Sequence, residues 1–101
     1  MANIIKIEIP VDERTDEFEF GKIRLILQED DGKIADVIEA YMSDYHPMDL
    51  LSKFYSRHSI LQFRVMDDKG SVSNKLSIIP AAVIIADVYL KLVEEAKSKS
   101  E

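Results

Sequence analysis

The chain has 101 residues, of which 47% are hydrophobic and 32% are charged, and its formal net charge is -6. This length and composition predict one compact domain over 1–101 and argue against an intrinsically disordered protein. No cysteine is present, which excludes disulfides and thiolate metal sites. The negative charge opposes nonspecific attraction to nucleic acid and favours a basic partner.

Two stretches bear on location. The first residues, 1–6, lack the long apolar run behind a basic start that marks a signal peptide. The most apolar window, from Ile78 to Ala86, is too short to span a bilayer and contains Pro80. We therefore expect a cytoplasmic protein without a membrane partner.

The N-terminal third predicts two strands that pair as a hairpin. The first is indicated by strict alternation and ends, or lies at a sheet edge, at Pro10. Its apolar positions are Ile5, Ile7, Ile9 and Val11. Residues 12–17 suit a loop. A second strand is predicted from Phe18 to Gln28, with a β-bulge at Gly21 because the apolar parity changes there.

Two helices are predicted next. Apolar residues at three- and four-residue spacing indicate the first, with Asp31 as its N-cap. Those apolar residues are Ile34, Val37, Ile38, Tyr41, Met42 and Tyr45. Pro47 suits the first turn of the second helix. Its apolar face consists of Met48, Leu51, Phe54 and Tyr55.

The last third predicts a second hairpin and a closing helix. Leu61, Phe63 and Val65 alternate on one strand, and the turn is at 67–70. The returning strand carries Val72, Leu76 and Ile78. The closing helix is predicted from Pro80 to about Lys97, with a frayed tail at 98–101. The predicted fold is therefore α+β, with two β-hairpins forming an antiparallel or mixed four-stranded sheet packed by three helices, in the order β-β-α-α-β-β-α.

The closing helix is apolar on two sides. The stripe expected to pack on the sheet consists of Ala81, Ile84, Ile85, Val88, Tyr89 and Leu92. Val83, Ala86 and Leu90 lie on roughly the opposite side. A helix that is apolar on two sides is usually buried on two sides. Either the other two helices cover this second stripe, or it meets its twin across a two-fold axis; the sequence favours the dimer.

Candidate chemical residues are few. His46 lies near Asp44 and Asp49, an arrangement that suits a general base or a metal-assisted hydrolase. Because Pro47 disturbs that alignment, a helix-terminus or surface role is the preferred interpretation of His46. His58 ends the second predicted helix, where a cation suits the helix dipole, and we expect it to have a capping or partly buried role. The acidic clusters at 12–17, 29–31 and 67–68 match turn chemistry better than a metal-site spacing. We predict no metal ligand and no cofactor.

Basic residues alternate with the core positions of the predicted sheet. They are Lys6, Lys22, Arg24, Arg64 and Lys75. On one sheet they would form a basic face, although no aromatic residue is clearly placed beside them to stack on bases.

Two functions follow from these patterns. The first is a non-catalytic protein–protein interaction module, a small acidic adaptor, inhibitor or assembly subunit, that forms a homodimer and binds another protein. The alternative is a nucleic-acid-binding protein that uses the basic sheet face.

Overall fold

A computed structural model describes residues 1–99 and contains strands and two helices in an α+β arrangement. The elements in chain order are β1 (Ile4–Glu8), β2 (Val11–Asp12), β3 (Glu17–Phe18), β4 (Lys22–Gln28), β5 (Ile34–Tyr41), α1 (Pro47–His58), β6 (Arg64–Val65) and α2 (Ile78–Lys99). The α+β class is confirmed. The prediction of three helices in the order β-β-α-α-β-β-α is wrong.

The main sheet has four strands in the order β5-β4-β1-β6. β1 and β4 pair antiparallel, with Ile5 opposite Leu27, as expected for the first two predicted strands, but β2 and β3 lie between them in the chain, so they do not form the predicted simple hairpin. β6 runs parallel to β1, so the sheet is mixed. β2 and β3 form a separate two-stranded sheet within the connection from β1 to β4.

The single bulged strand predicted from Phe18 to Gln28 is two strands. Gly21 lies between β3 and β4 with a φ of +87°, a left-handed conformation that glycine adopts without strain. The parity change read from the sequence therefore marks a break between two sheets instead of a β-bulge.

The prediction of a helix over 34–45 is wrong, because Ile34–Tyr41 form strand β5, which pairs with β4. Ile38 is buried between the exposed Val37 and Glu39, which is the alternation of a strand. Asp31 caps no helix: its Oδ1 accepts a hydrogen bond from the Lys33 amide at 2.9 Å within the β4–β5 turn.

The second predicted hairpin is only partly present. The turn forms as expected, since the Gly70 amide donates to the Asp67 carbonyl at 3.2 Å. However, residues 71–77 make only isolated bridges, such as Phe63 with Leu76, and no strand. The predicted inward direction of Leu61 is also wrong, because this side chain is exposed. The fourth strand of the sheet is instead β5.

Both helices pack on one face of the main sheet. The first begins at Pro47 as predicted. The second begins at Ile78, before Pro80, and continues to Lys99, while Ser100 and Glu101 of the predicted frayed tail lie outside the described residues. The central core side chains are Ile5, Ile23, Leu25, Leu27, Leu50, Leu51, Phe54, Phe63 and Ile85. Within the described part of the chain, no helix combines the length and the apolar character needed to cross a membrane.

Candidate functional site

His46 is the N-cap of α1. Its Nδ1 accepts a hydrogen bond from the Met48 amide at 3.0 Å, and its own amide donates to Asp49 Oδ2 at 2.8 Å. This reciprocal capping box satisfies amides that the helix itself cannot pair. The same contacts occupy His46 and Asp49, two of the three candidate hydrolase residues, so the helix-terminus interpretation of His46 fits the structure best.

His58 ends α1 and contacts the sheet. Its Nε2 lies 2.8 Å from Asp36 Oδ2, and Arg57 Nη1 lies 3.2 Å from the same oxygen. Partial burial raises the pKa of Asp36, but the hydrogen bonds from His58 and Arg57 outweigh it, so the pKa lies below its usual value. The cluster joins the end of α1 to β5. Sequence reasoning missed it because Asp36 was assigned to a helix.

Arg24 lies at the centre of the sheet face that no helix of residues 1–99 covers, termed here the bare face. Its Nε donates to Glu39 Oε1 at 2.6 Å, and its Nη1 donates to Glu8 Oε1 at 3.0 Å. These glutamates stand on β5 and β1, directly opposite Arg24 in the register. Their hydrogen bonds, that to Glu39 first, raise the pKa of Arg24. Arg24, the central residue of the predicted basic face, is thus already paired with two carboxylates.

The other predicted basic residues are likewise paired with acidic side chains, or lie outside the sheet. Lys22 Nζ is 3.8 Å from carboxylate oxygens of Glu19 and Glu39, and Lys6 Nζ is 3.8 Å from Glu8. Arg64 hydrogen-bonds to Asn3 and forms an ion pair with Asp30. Lys75 lies outside the sheet, in the connection from β6 to α2. The bare face therefore carries interleaved charges of both signs instead of a basic patch.

The acidic clusters are parts of turns. Asp12 Oδ1 accepts a hydrogen bond from the Arg14 amide at 2.9 Å, and Asp67 Oδ1 accepts from the amides of Lys69 and Ser71 at 2.9 and 2.8 Å. Side-chain-to-backbone bonds of this kind are the usual reason for aspartate in turns. Among residues 1–99, no group of three or more histidine, aspartate or glutamate side chains is arranged to hold a metal ion.

The second apolar stripe of α2 is open to solvent. Val83 and Leu90 are 57% and 59% exposed, and Ala86 between them is partly buried. Ile79, 67% exposed, extends the stripe by one turn. It was missed because the helix was predicted to begin at Pro80. Ile79, Val83, Ala86 and Leu90 follow one another at spacings of four, three and four residues and are termed here the outer stripe.

One of the two predictions for this stripe is wrong. The first predicted helix, which was to help cover it, is strand β5, and α1 leaves Val83 and Leu90 exposed. The packed side agrees with prediction, since Ala81, Ile85 and Val88 are buried. The dimer alternative stays a prediction.

Comparison with protein-family models, with curated proteins and with solved structures found no match for this chain.

Proposed function

We propose that this chain is a non-catalytic protein–protein interaction module, a small acidic adaptor, inhibitor or assembly subunit, that forms a homodimer through the outer stripe of α2. The observation that carries the proposal is the exposure of Ile79, Val83 and Leu90 on one side of a helix whose other side packs on the core. Exposed single apolar residues are ordinary, but an aligned row along one helix is typical of an interface.

The stripe also has the shape that a helix–helix contact needs. Ala86 is small and lies between the larger Val83 and Leu90, so a second helix can approach closely at that point. The spacing of three and four residues keeps all members on one side over about three turns. A two-fold axis would let the same residues on two copies cover one another.

The bare face supports the alternative function less well. A nucleic-acid surface needs unpaired cations that can contact phosphates. Here Arg24 and Lys22 already contact Glu39, and the chain as a whole is acidic. The geometry therefore favours the apolar surface of α2 over the sheet.

The proposal is tested by measuring molar mass with multi-angle light scattering across a concentration series. Leu90→Asp introduces a charge into the centre of the outer stripe, and we expect it to convert the dimer into a folded monomer. Leu61→Asp is the matched control, because Leu61 is 65% exposed but lies outside α2; it should leave the dimer intact. High salt should not dissociate the wild-type dimer, since the contact is apolar.

Two results would contradict this function. A wild-type chain that stays monomeric at every concentration has no self-association to explain. A Leu90→Asp variant that loses its circular dichroism signal would show that Leu90 stabilises the monomer instead of a dimer.

A further inference from the structure

Strand β5 is the last strand of the main sheet, and no strand within residues 1–99 pairs with its outer side, termed here the open edge. Natural edge strands are commonly very short or carry lysine or proline, which hinders pairing with another chain. β5 is eight residues long and contains neither residue type. Its pairing with β4 is regular from Asp36 to Tyr41. The open edge therefore lacks the usual protection against an added strand.

One hydrogen bond determines which residues face the open edge. The Met42 amide donates to the Gly21 carbonyl at 2.8 Å, which continues the pairing of β5 with β4 by one residue. Because alternate residues of a strand direct their N–H and C=O groups to the same side, the even-numbered residues of this segment face β4. The odd-numbered residues face the open edge. They are Val37, Glu39 and Tyr41, and all three are exposed.

These three residues each direct one N–H and one C=O group outward, and two of those groups are satisfied within the chain. The Val37 amide donates to Asp36 Oδ1 at 2.8 Å. The Tyr41 carbonyl accepts from two amides of the following turn, at 3.0 and 3.1 Å. The other groups have no hydrogen-bond partner in the described part of the chain. They are the Val37 carbonyl, the Glu39 amide and carbonyl, and the Tyr41 amide.

A second copy of β5 matches this pattern when a two-fold axis passes beside Glu39. In that antiparallel register, Glu39 lies opposite Glu39 of the second copy, and Val37 lies opposite Tyr41 of the second copy. The Glu39 groups pair with each other, and each free Tyr41 amide meets a free Val37 carbonyl. The satisfied Val37 amide and the satisfied Tyr41 carbonyl also meet. A shift of the register by two residues would instead place a free group opposite a satisfied one.

We propose that β5 pairs with β5 of a second copy in this register, so that two four-stranded sheets become one continuous sheet. The exposed side chains fit this contact, since Val37 and Tyr41, 42% and 51% exposed, cover one another. The two Glu39 carboxylates face each other, but each is held by Arg24 of its own chain at 2.6 Å, which limits their repulsion.

The β5 contact lies on a different element from the outer stripe, so it goes beyond the α2 dimer and does not need it. Four main-chain hydrogen bonds make a small contact, and small contacts are usually weak. We therefore expect β5 pairing at higher protein concentration than the α2 dimer, so that it joins dimers into a larger assembly.

Amide hydrogen exchange of the wild-type chain tests the pairing without a substitution. NMR measures exchange with water residue by residue, at concentrations from about 50 μM to about 1 mM. We expect exchange of the Glu39 and Tyr41 amides to slow at least about threefold over this range, because each gains an acceptor. The Ile38 amide, which faces β4, should not change. Unchanged exchange at Glu39 and Tyr41 up to the highest concentration would overturn the proposal.

Disulfide cross-linking tests the register. Since the chain has no cysteine, a single introduced cysteine can form only an intermolecular disulfide. Two Glu39→Cys chains would have opposed Cα atoms about 5.5 Å apart, within disulfide range, and should oxidise to a covalent dimer. Val37→Cys is the matched control on the same edge, because its copies would lie about 13 Å apart. It should cross-link at least about tenfold more slowly, and equal rates would contradict the register.

Both measurements are repeated with the Leu90→Asp change to separate the two surfaces. Slowed exchange at Glu39 and Tyr41 and cross-linking through Glu39→Cys should both persist in that background. Persistence supports a β5 contact that stands even if the α2 dimer fails. Loss of both signals in Leu90→Asp would show that β5 does not pair by itself, and would overturn the proposal.

Discussion

The bare face of the sheet and the outer stripe of α2 are both exposed, yet they differ in what the chain itself supplies to them. On the bare face, Arg24 is held between carboxylates of the two neighbouring strands. On α2, Val83 and Leu90 extend into solvent without an apolar neighbour layer. Exposure is therefore a poor guide to interaction. A surface whose chemical needs are already met within the chain has less to gain from a partner.

The magnitudes support the same ranking. Ion pairs near a surface contribute about 0–1 kcal/mol each, because water already solvates the charges well. Burial of a large apolar side chain contributes about 1.5–3 kcal/mol. Covering the outer stripe therefore yields more free energy than displacing Glu39 or Glu8 from Arg24 would.

The largest expected effect contrasts the two sides of α2 directly. Ile85→Ala removes a fully buried side chain from the core and should lower the free energy of unfolding by about 2–5 kcal/mol. Leu90→Ala on the outer stripe should change it by less than about 0.5 kcal/mol in the monomer. Urea denaturation at low protein concentration measures both, and a shared m-value would confirm that the unfolded states match.

The comparison between the two sides fails if Leu90→Ala destabilises the monomer as much as Ile85→Ala does. Leu90 would then have packing that its exposure does not show. If Leu90→Ala lowers the free energy of unfolding only at high protein concentration, the loss reports the dimer contact and supports the comparison.

A smaller effect is expected on the bare face. Arg24→Met keeps much of the side-chain volume but leaves Glu8 and Glu39 without their shared cation, and we expect a loss of about 1 kcal/mol. Lys6→Met is the control, because Lys6 makes one longer ion pair with Glu8 and is half exposed. Denaturation at low and high salt distinguishes the two, since screening should reduce the loss from Arg24→Met. Equal losses in both variants would show that the paired geometry of Arg24 has no special weight.

Long periodic patterns predicted structure well. The buried side of α2 repeats over many turns, and Ala81, Ile85 and Val88 all face the core as expected. The eight residues of β5 are too few to distinguish the period of a helix from that of a strand. The apolar residues Ile34, Val37, Ile38 and Tyr41 have the spacing of a helix, although a segment this short can also form a strand. Pairing with β4 decides the outcome, and that is a property of the folded chain.

The candidate sites show the same limit. His46 and Asp49 are neighbours in sequence, so their capping roles could be anticipated. Arg24 and Glu39 could not be paired from the sequence, since Glu39 was assigned to a helix. Opposite charges on adjacent strands are thus the contacts that single-sequence reasoning loses first.

The smallest expected effect concerns pH. Asp36 lies on the helix-facing side of β5, opposite Leu27, and receives hydrogen bonds from His58 and Arg57. Because its pKa is lower in the folded chain than in the unfolded one, the unfolded state binds the proton more readily as pH falls. The stability that Asp36 contributes is therefore complete above its unfolded pKa of about 4 and is lost progressively below it.

Asp36→Asn should flatten that part of the stability profile, measured by urea denaturation from neutral to acid pH. Asp44→Asn is the control, since none of the ion pairs among residues 1–99 includes Asp44, and it should follow the wild-type profile. If both variants follow the wild type, the contact between α1 and β5 does not depend on the Asp36 charge.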